Sequence, residues 1–191
     1  MSGRLWQGLF WLALAAGVAG VMNAAYIPLK AGLAQALLES AWERRGTDGV
    51  AARPWPWADT VPVARLRQAR LDVDQIVLAG ASGRVLAFGP GHVTGSTPPG
   101  RVGNVVISAH RDTHFRWLRS LQAGEQLSLE SAGGVVRHYR ITDLAIHDER
   151  AVHLLERDAA DRLTLITCYP FAAVDPGTSQ RYVVTAVPRP L

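Results

Sequence analysis

The chain has 191 residues, 48% of them hydrophobic, and a formal charge of +4, which allows one cored domain plus accessory segments and excludes a disordered tail. Its positive charge is arginine, Lys30 being the single lysine, scattered without a dense basic run or an RNA-binding or zinc-finger signature; no nucleic-acid partner is expected, and mild attraction to anionic membrane lipid is. One cysteine, Cys168, excludes an internal disulfide and any centre of several thiolates, so its thiol is either packing or chemistry.

From the N-terminus, Leu5 to Leu29 carries no charge and is rich in Leu, Ala, Trp, Gly and Val. About 25 such residues reach across roughly 30 Å of hydrocarbon as a helix. The run is longer than the apolar core of a signal peptide. Residues 1–29 are therefore expected to form an uncleaved membrane anchor, cleavage near Ala24-Ala25 being the alternative. Arg4 on one side and Lys30, Arg44 and Arg45 on the other do not orient it. After Pro28, the apolar residues Leu33, Ala34, Leu37, Leu38, Ala41 and Trp42 recur at helical spacing. This predicts an amphipathic helix over Lys30–Arg45 that continues the anchor, lies on the membrane or packs on the domain. Arg53-Pro54-Trp55-Pro56-Trp57 forbids helix, making 30–60 an amphipathic helix plus linker.

From Val61 the chain turns to short β-type runs. Strands are predicted at Val61–Leu66, Gln75–Ala79, Arg84–Phe88, Asn104–Ser108, Gln126–Leu129, Val135–Ile141, Leu144–His147, Leu163–Thr167 and Arg181–Val187. Ala81-Ser82-Gly83 and Gly133-Gly134 supply turns, and His114–Leu121 and Ala151–Leu155 read as helical turns. Many short strands with few helices predict an all-β barrel or sandwich over 61–191.

Three strand edges carry reactive residues: Asn104–Ser108 leads through Ala109 into His110, Leu163–Thr167 into Cys168, and the last strand opens with Arg181. A rigid strand ending in a loop holds a reactive group accessibly. Leu163, Leu165 and Thr167 share one face, which puts Cys168 with Ile166 on the other. His110 and His114 are four apart, but a His-Glu-x-x-His zinc site needs a helix and a glutamate where Arg111 stands. No metal and no cofactor is expected. His92, His138, His147 and His153 show no ligand spacing.

Ile107-Ser108-Ala109-His110-Arg111, Leu163-Thr164-Leu165-Ile166-Thr167-Cys168 and Arg181-Tyr182-Val183-Val184 together resemble the histidine strand, Thr-Leu-x-Thr-Cys motif and arginine strand of the sortase family. Their order, and the spacings of 58 residues from His110 to Cys168 and 13 on to Arg181, also resemble that family. The resemblance runs over about Pro62 to Val187. Cys168-Tyr169-Pro170-Phe171 and Tyr26-Ile27-Pro28-Leu29-Lys30 further resemble the proteobacterial class GN sortases.

The resemblance implies a closed eight-stranded barrel. It implies a membrane-anchored cysteine transpeptidase acting on protein substrates with a C-terminal Leu-Pro-x-Thr-Gly-like sorting signal, and an amine acceptor on the cell envelope. Cys168 would be the nucleophile, His110 the proton-transfer partner and Arg181 the oxyanion-side cation. Thr167 is read either as orienting the substrate or supporting the site, or as a β-branched strand residue. Val152, Leu154 and Leu155 are read either as lining a substrate pocket or as a core-facing turn. Because sorted substrates are exported, the barrel is expected outside the cytoplasmic membrane. Two other readings are weighed: a cell-wall L,D-transpeptidase, whose Ser-x-Gly-Cys motif and following arginine are missing around Cys168, and a non-catalytic membrane-tethered β-barrel binding module, which leaves the three motifs unexplained. A papain-like hydrolase has its cysteine before its histidine, the reverse of the order here.

Overall fold

The computed structural model describes residues 2–46, 52–155, 160–173 and 177–189. Helix α1 spans Ser2–Glu43, and the chain divides into two compact units, Met1–Leu37 and Leu38–Leu191. In the first, Trp6, Leu9, Phe10, Trp11 and Leu12 are exposed. No helix among the described residues is long and apolar enough to cross a membrane. The membrane span expected over residues 1–29 is therefore not supported, and that segment is not a separate element, since α1 runs unbroken through position 29.

The second unit is built on a closed barrel with strands β1 Pro62–Gln68, β2 Val73–Ala79, β3 Gly91–His92, β4 Asn104–Ser108, β5 Gln126–Ser131, β6 Val136–Asp148, β7 Arg162–Tyr169 and β8 Gln180–Pro188. Their order around the barrel is β1-β2-β3-β4-β7-β8-β6-β5. The core holds Ala64, Leu66, Val105, Ile107, Leu127, Leu129, Tyr139, Leu163, Leu165, Val184 and Ala186. Closure leaves no edge exposed to pair with another chain.

β7 explains why its sequence is a near-continuous apolar run rather than an alternation. Leu163 and Leu165 face the core, while Ile166 packs on the outer face with Val106 and Val183 beneath Val93 and Leu154. A strand covered on both faces needs apolar side chains in both directions. The tail of α1 covers another outer patch, where Leu38 and Trp42 pack on Ile76, Leu78 and Val85. Arg45 lies over the Trp42 ring at 4.0 Å and pairs with Glu130 on β5.

Three strand expectations are corrected. Arg84–Phe88 is not a strand: Gly83–Leu86 forms the short helix α2, with Leu86 N–H donating to the Ser82 carbonyl at 2.9 Å. Its β-like apolar residues serve the patch under Trp42, where Val85 and Phe88 pack. The runs Val135–Ile141 and Leu144–His147 are one strand, β6, whose register shifts between Ile141 and Asp143. A bulge there absorbs the polar Thr142 without ending the ladder. The two-residue β3 gave no run to read, yet it closes the barrel by pairing parallel to β2 and antiparallel to β4.

Gly91 in β3 has no room for a side chain. A Cβ there would lie 2.1 Å from the Gly80 carbonyl oxygen and 3.1 Å from the Ala81 Cα. Both obstacles are backbone, so Gly91→Ala is expected to destabilise the barrel by about 1–3 kcal/mol or more, as overpacking does. Urea unfolding of variant and wild type checks this, and equal midpoints would show that the closure tolerates displacement.

Candidate active site

β7 lies between β4 and β8, parallel to the first and antiparallel to the second. In the parallel pair Ser108 stands opposite Ile166, and Ala109 N–H donates to the Ile166 carbonyl at 3.3 Å. His110 follows two residues after the end of β4, and Cys168 lies two residues past Ile166 on β7. In the antiparallel pair Cys168 is directly opposite Arg181. The register therefore joins Cys168 to Arg181 across β7 and β8, and the β4 end from which His110 follows pairs with β7 on its other side. His110 is exposed there, and the Cys168 thiol is free and half-buried.

Thr167 is buried, and its hydroxyl donates to the Ala109 carbonyl at 2.7 Å. Its side chain thus points into the barrel, away from the rim, which fits the reading of Thr167 as a residue that supports the site rather than one that touches substrate. Strand alternation is the reason: Cys168 and Ile166 face outward, so the residue between them faces inward. The hydroxyl does work of another kind, tying β7 to the backbone immediately before His110.

Arg181 is held by a carboxylate that sequence reading did not single out. Its Nη2 pairs with Glu149 Oε2 at 2.9 Å, and its Nη1 donates to the carbonyls of Thr178 and Gln180. Glu149 is itself fixed by its N–H, which donates to the Ser179 carbonyl at 2.7 Å. In sequence Asp148-Glu149-Arg150 looks like any charged turn, and nothing local marks Glu149 as the partner of a residue 32 positions on.

Beside the rim is a cavity of about 270 Å³ whose lining includes Val93, Ser108, Ala151, Leu154, Leu155 and Ile166, with Asp148, Glu149 and Arg181 supplying charge. Leu154 belongs both to this lining and to the packed layer over Ile166. The pocket and core readings of that residue are thus one placement. The Asn104 side-chain amide donates to the Leu154 carbonyl at 3.0 Å and fixes the 3-10 turn Val152–Leu155 against the barrel. The Val152 side chain lies outside the described residues, as do residues 156–159 and 174–176 of the flanking loops. On the other side, Tyr169 precedes a cis bond to Pro170 and, with Phe171 and Tyr182, forms an aromatic cluster with ring centroids 5.2 to 6.2 Å apart.

His114 is partly buried, and its pKa is lowered first by burial and then by the positive charge of nearby His110; a hydrogen bond with the Ala87 backbone opposes this. Among the described residues no three His, Cys, Asp or Glu side chains are grouped as a metal site requires. Because the fold favours neutral His114, the unfolded chain takes up more protons as pH falls. The stabilisation is present in full above the ordinary histidine value of 6.5 and is lost as pH drops below it. Melting curves should show the wild type losing more Tm between pH 7.5 and 5.5, a range of about two units around the free-histidine value, than His114→Gln does. Parallel losses would exonerate this residue.

A family model described as "Sortase domain" matches residues 66–189. Sortase D of Bacillus subtilis (strain 168) is 30% identical over 116 residues, which is 60% of this chain and 58% of that relative's length. Among solved structures, a Clostridium perfringens Sortase D5 transpeptidase superposes with a TM-score of 0.67 at 20% identity, covering 83% of this chain and 99% of that one. Sortase C-1 from Actinomyces oris gives 0.59 at 28% identity over 68% and 74% of the two chains. Sortase A from Corynebacterium diphtheriae gives 0.63 at 22% identity over 83% and 85%.

Proposed function

The chain belongs to the sortase family, and on that premise we propose that it cleaves a Leu-Pro-x-Thr-Gly-like C-terminal sorting signal through a Cys168 thioester and passes the acyl group to an amine on the cell envelope. The observation that supports this reading is the register that sets Cys168 opposite Arg181 on β7 and β8, with His110 two residues beyond the end of the neighbouring β4.

The chemistry follows from those positions. A free thiol has a pKa of about 8.5 and needs neighbouring positive charge to ionise at neutral pH. His110 and Arg181 are the basic groups that the proposed mechanism assigns to the thiol. The Cys168 thiolate adds to the threonine carbonyl; Arg181 donates to the oxyanion that forms; the Thr-Gly bond breaks and His110 gives its proton to the departing glycine amine. An incoming amine then loses a proton to His110, adds to the thioester and expels the thiolate. The apolar cavity lined by Leu154, Leu155, Val93 and Ile166 suits the leucine and proline of the signal, with Glu149 keeping Arg181 at its edge.

Incubation of the full chain with a quenched Leu-Pro-x-Thr-Gly peptide and with a cell-wall tetrapeptide stem tests this reading. Cleavage of the first, with an acyl adduct on Cys168 by mass spectrometry, is expected. Cleavage of the stem alone would instead favour an L,D-transpeptidase. The class GN assignment rests on Cys168-Tyr169-Pro170-Phe171 and Tyr26-Ile27-Pro28-Leu29-Lys30, and a peptide-library cleavage profile separates it from a class D specificity. The exposed Trp6, Leu9, Phe10, Trp11 and Leu12 support association of α1 with lipid, and export of the substrate places the barrel outside the cytoplasmic membrane. Activity of a C-terminal reporter that works only in the cytoplasm would contradict that topology.

A further inference from the structure

A second cavity, of about 220 Å³, is lined by Arg111, Asp112, Arg116, Arg119 and Phe171. It shares no lining residue with the apolar cavity. The two stand in a definite relation to the reactive pair. β4 and β7 run parallel; the apolar cavity uses Ser108 and Ile166, which precede His110 and Cys168, whereas this one uses Arg111 and Phe171, which follow them. The chain thus presents an apolar cavity before the Cys–His pair and a cationic one after it.

The cationic cavity is built rather than incidental. Arg111 is 5% exposed, donates through Nη2 to the Ala173 carbonyl at 2.8 Å and has Asp112 at 3.4 Å. That bond joins the loop after His110 to the loop after Cys168. Arg116 and Arg119 sit on the 3-10 turn Arg116–Ser120, anchored by buried Leu118 and by Phe115, whose N–H donates to the His110 carbonyl at 3.0 Å. With three residues per turn, positions 116 and 119 fall on the same side, and both side chains reach the cavity. Among the described residues three guanidinium groups and one carboxylate line it, and the exposed Arg116 and Arg119 are placed to take a bound anion.

We propose that this cavity is the subsite for a carboxylate carried by the amine acceptor, so that the preferred acceptor is an amino-acid-type amine with a free carboxylate close to the attacking nitrogen. The inference rests on the transpeptidase reading. With the apolar residues of the sorting signal in the first cavity, an acceptor reaches the Cys168 acyl group from the opposite side. There the arginines hold the carboxylate, leaving the amine free to face His110.

The test compares glycylglycine with glycylglycinamide, whose amines are of similar basicity, as acceptors for the full-length enzyme acylated by the sorting peptide. The KM for glycylglycine is expected to be lower by about tenfold, the equivalent of one charge-assisted contact. In an Arg116→Ala/Arg119→Ala variant the ratio should fall to near one. Arg84→Ala, which removes an exposed arginine elsewhere, should keep it. Equal KM values in the wild type, or a preference that survives in the double variant, would overturn the proposal. Calorimetric titration of both dipeptides into the Cys168→Ala chain reads the cavity without turnover. If no peptide is cleaved, the function reading falls; the titration still decides the cavity, tighter glycylglycine binding that the double variant loses supporting it and equal binding of the two dipeptides overturning it.

Discussion

Replacement of Cys168 by alanine is expected to reduce cleavage and transfer to background, a loss on the order of 10⁴-fold or more, as when a nucleophile that acts as a unit with its base is removed. In the proposed mechanism the thiolate makes and breaks a covalent bond in both half-reactions, a task neither an imidazole acting as acid–base nor a guanidinium takes over. The structure gives a reason to expect an intact fold in the variant. Cys168 is half-buried at the end of β7, with its side chain on the outer face, while the core of that strand is supplied by Leu163 and Leu165. The measurement is turnover of the quenched peptide together with a thermal melt. A variant that melted like the wild type and retained turnover would remove Cys168 from the mechanism.

Arg181→Ala is expected to lower kcat/KM by about 10²- to 10³-fold, the usual cost of losing one oxyanion donor. The ion pair with Glu149 adds a second expectation. If Glu149 positions the guanidinium, Glu149→Gln, which keeps a hydrogen-bond acceptor of the same shape, should have a much smaller effect than Arg181→Ala. Arg181→Lys should not rescue, because a lysine ammonium cannot reproduce a planar fork shared between Glu149 and the carbonyls of Thr178 and Gln180. Single-turnover acylation separates these roles. An Arg181→Ala enzyme within twofold of wild type in that step would show that the oxyanion is stabilised by other groups.

Much of the barrel was readable because its signals are local. Asn104–Ser108 and the run through Cys168 are continuous apolar strands bounded by turns, and both are found where their pattern put them. Arg84–Phe88 misled because Val85 and Phe88 carry apolar side chains for another reason, to pack with Leu38 and Trp42. β3 was invisible because two residues have no period. Thr167 looked like a site residue from its adjacency to Cys168, whereas alternation along β7 turns it inward to the Ala109 carbonyl.

By itself the sequence determined the β-rich class, the three motifs and the alternation that separates Cys168 from Leu163 and Leu165, all of which depend on neighbouring residues and a period of two. The tertiary structure alone decided that β7 lies between β4 and β8, that Glu149 holds Arg181, and that Arg111 bonds the Ala173 carbonyl while sharing a cavity with Arg116, Arg119 and Phe171. The physical reason is separation along the chain: these partners are 32 and 62 residues apart. Strand register and barrel closure bring them together, and no local pattern of side chains encodes either.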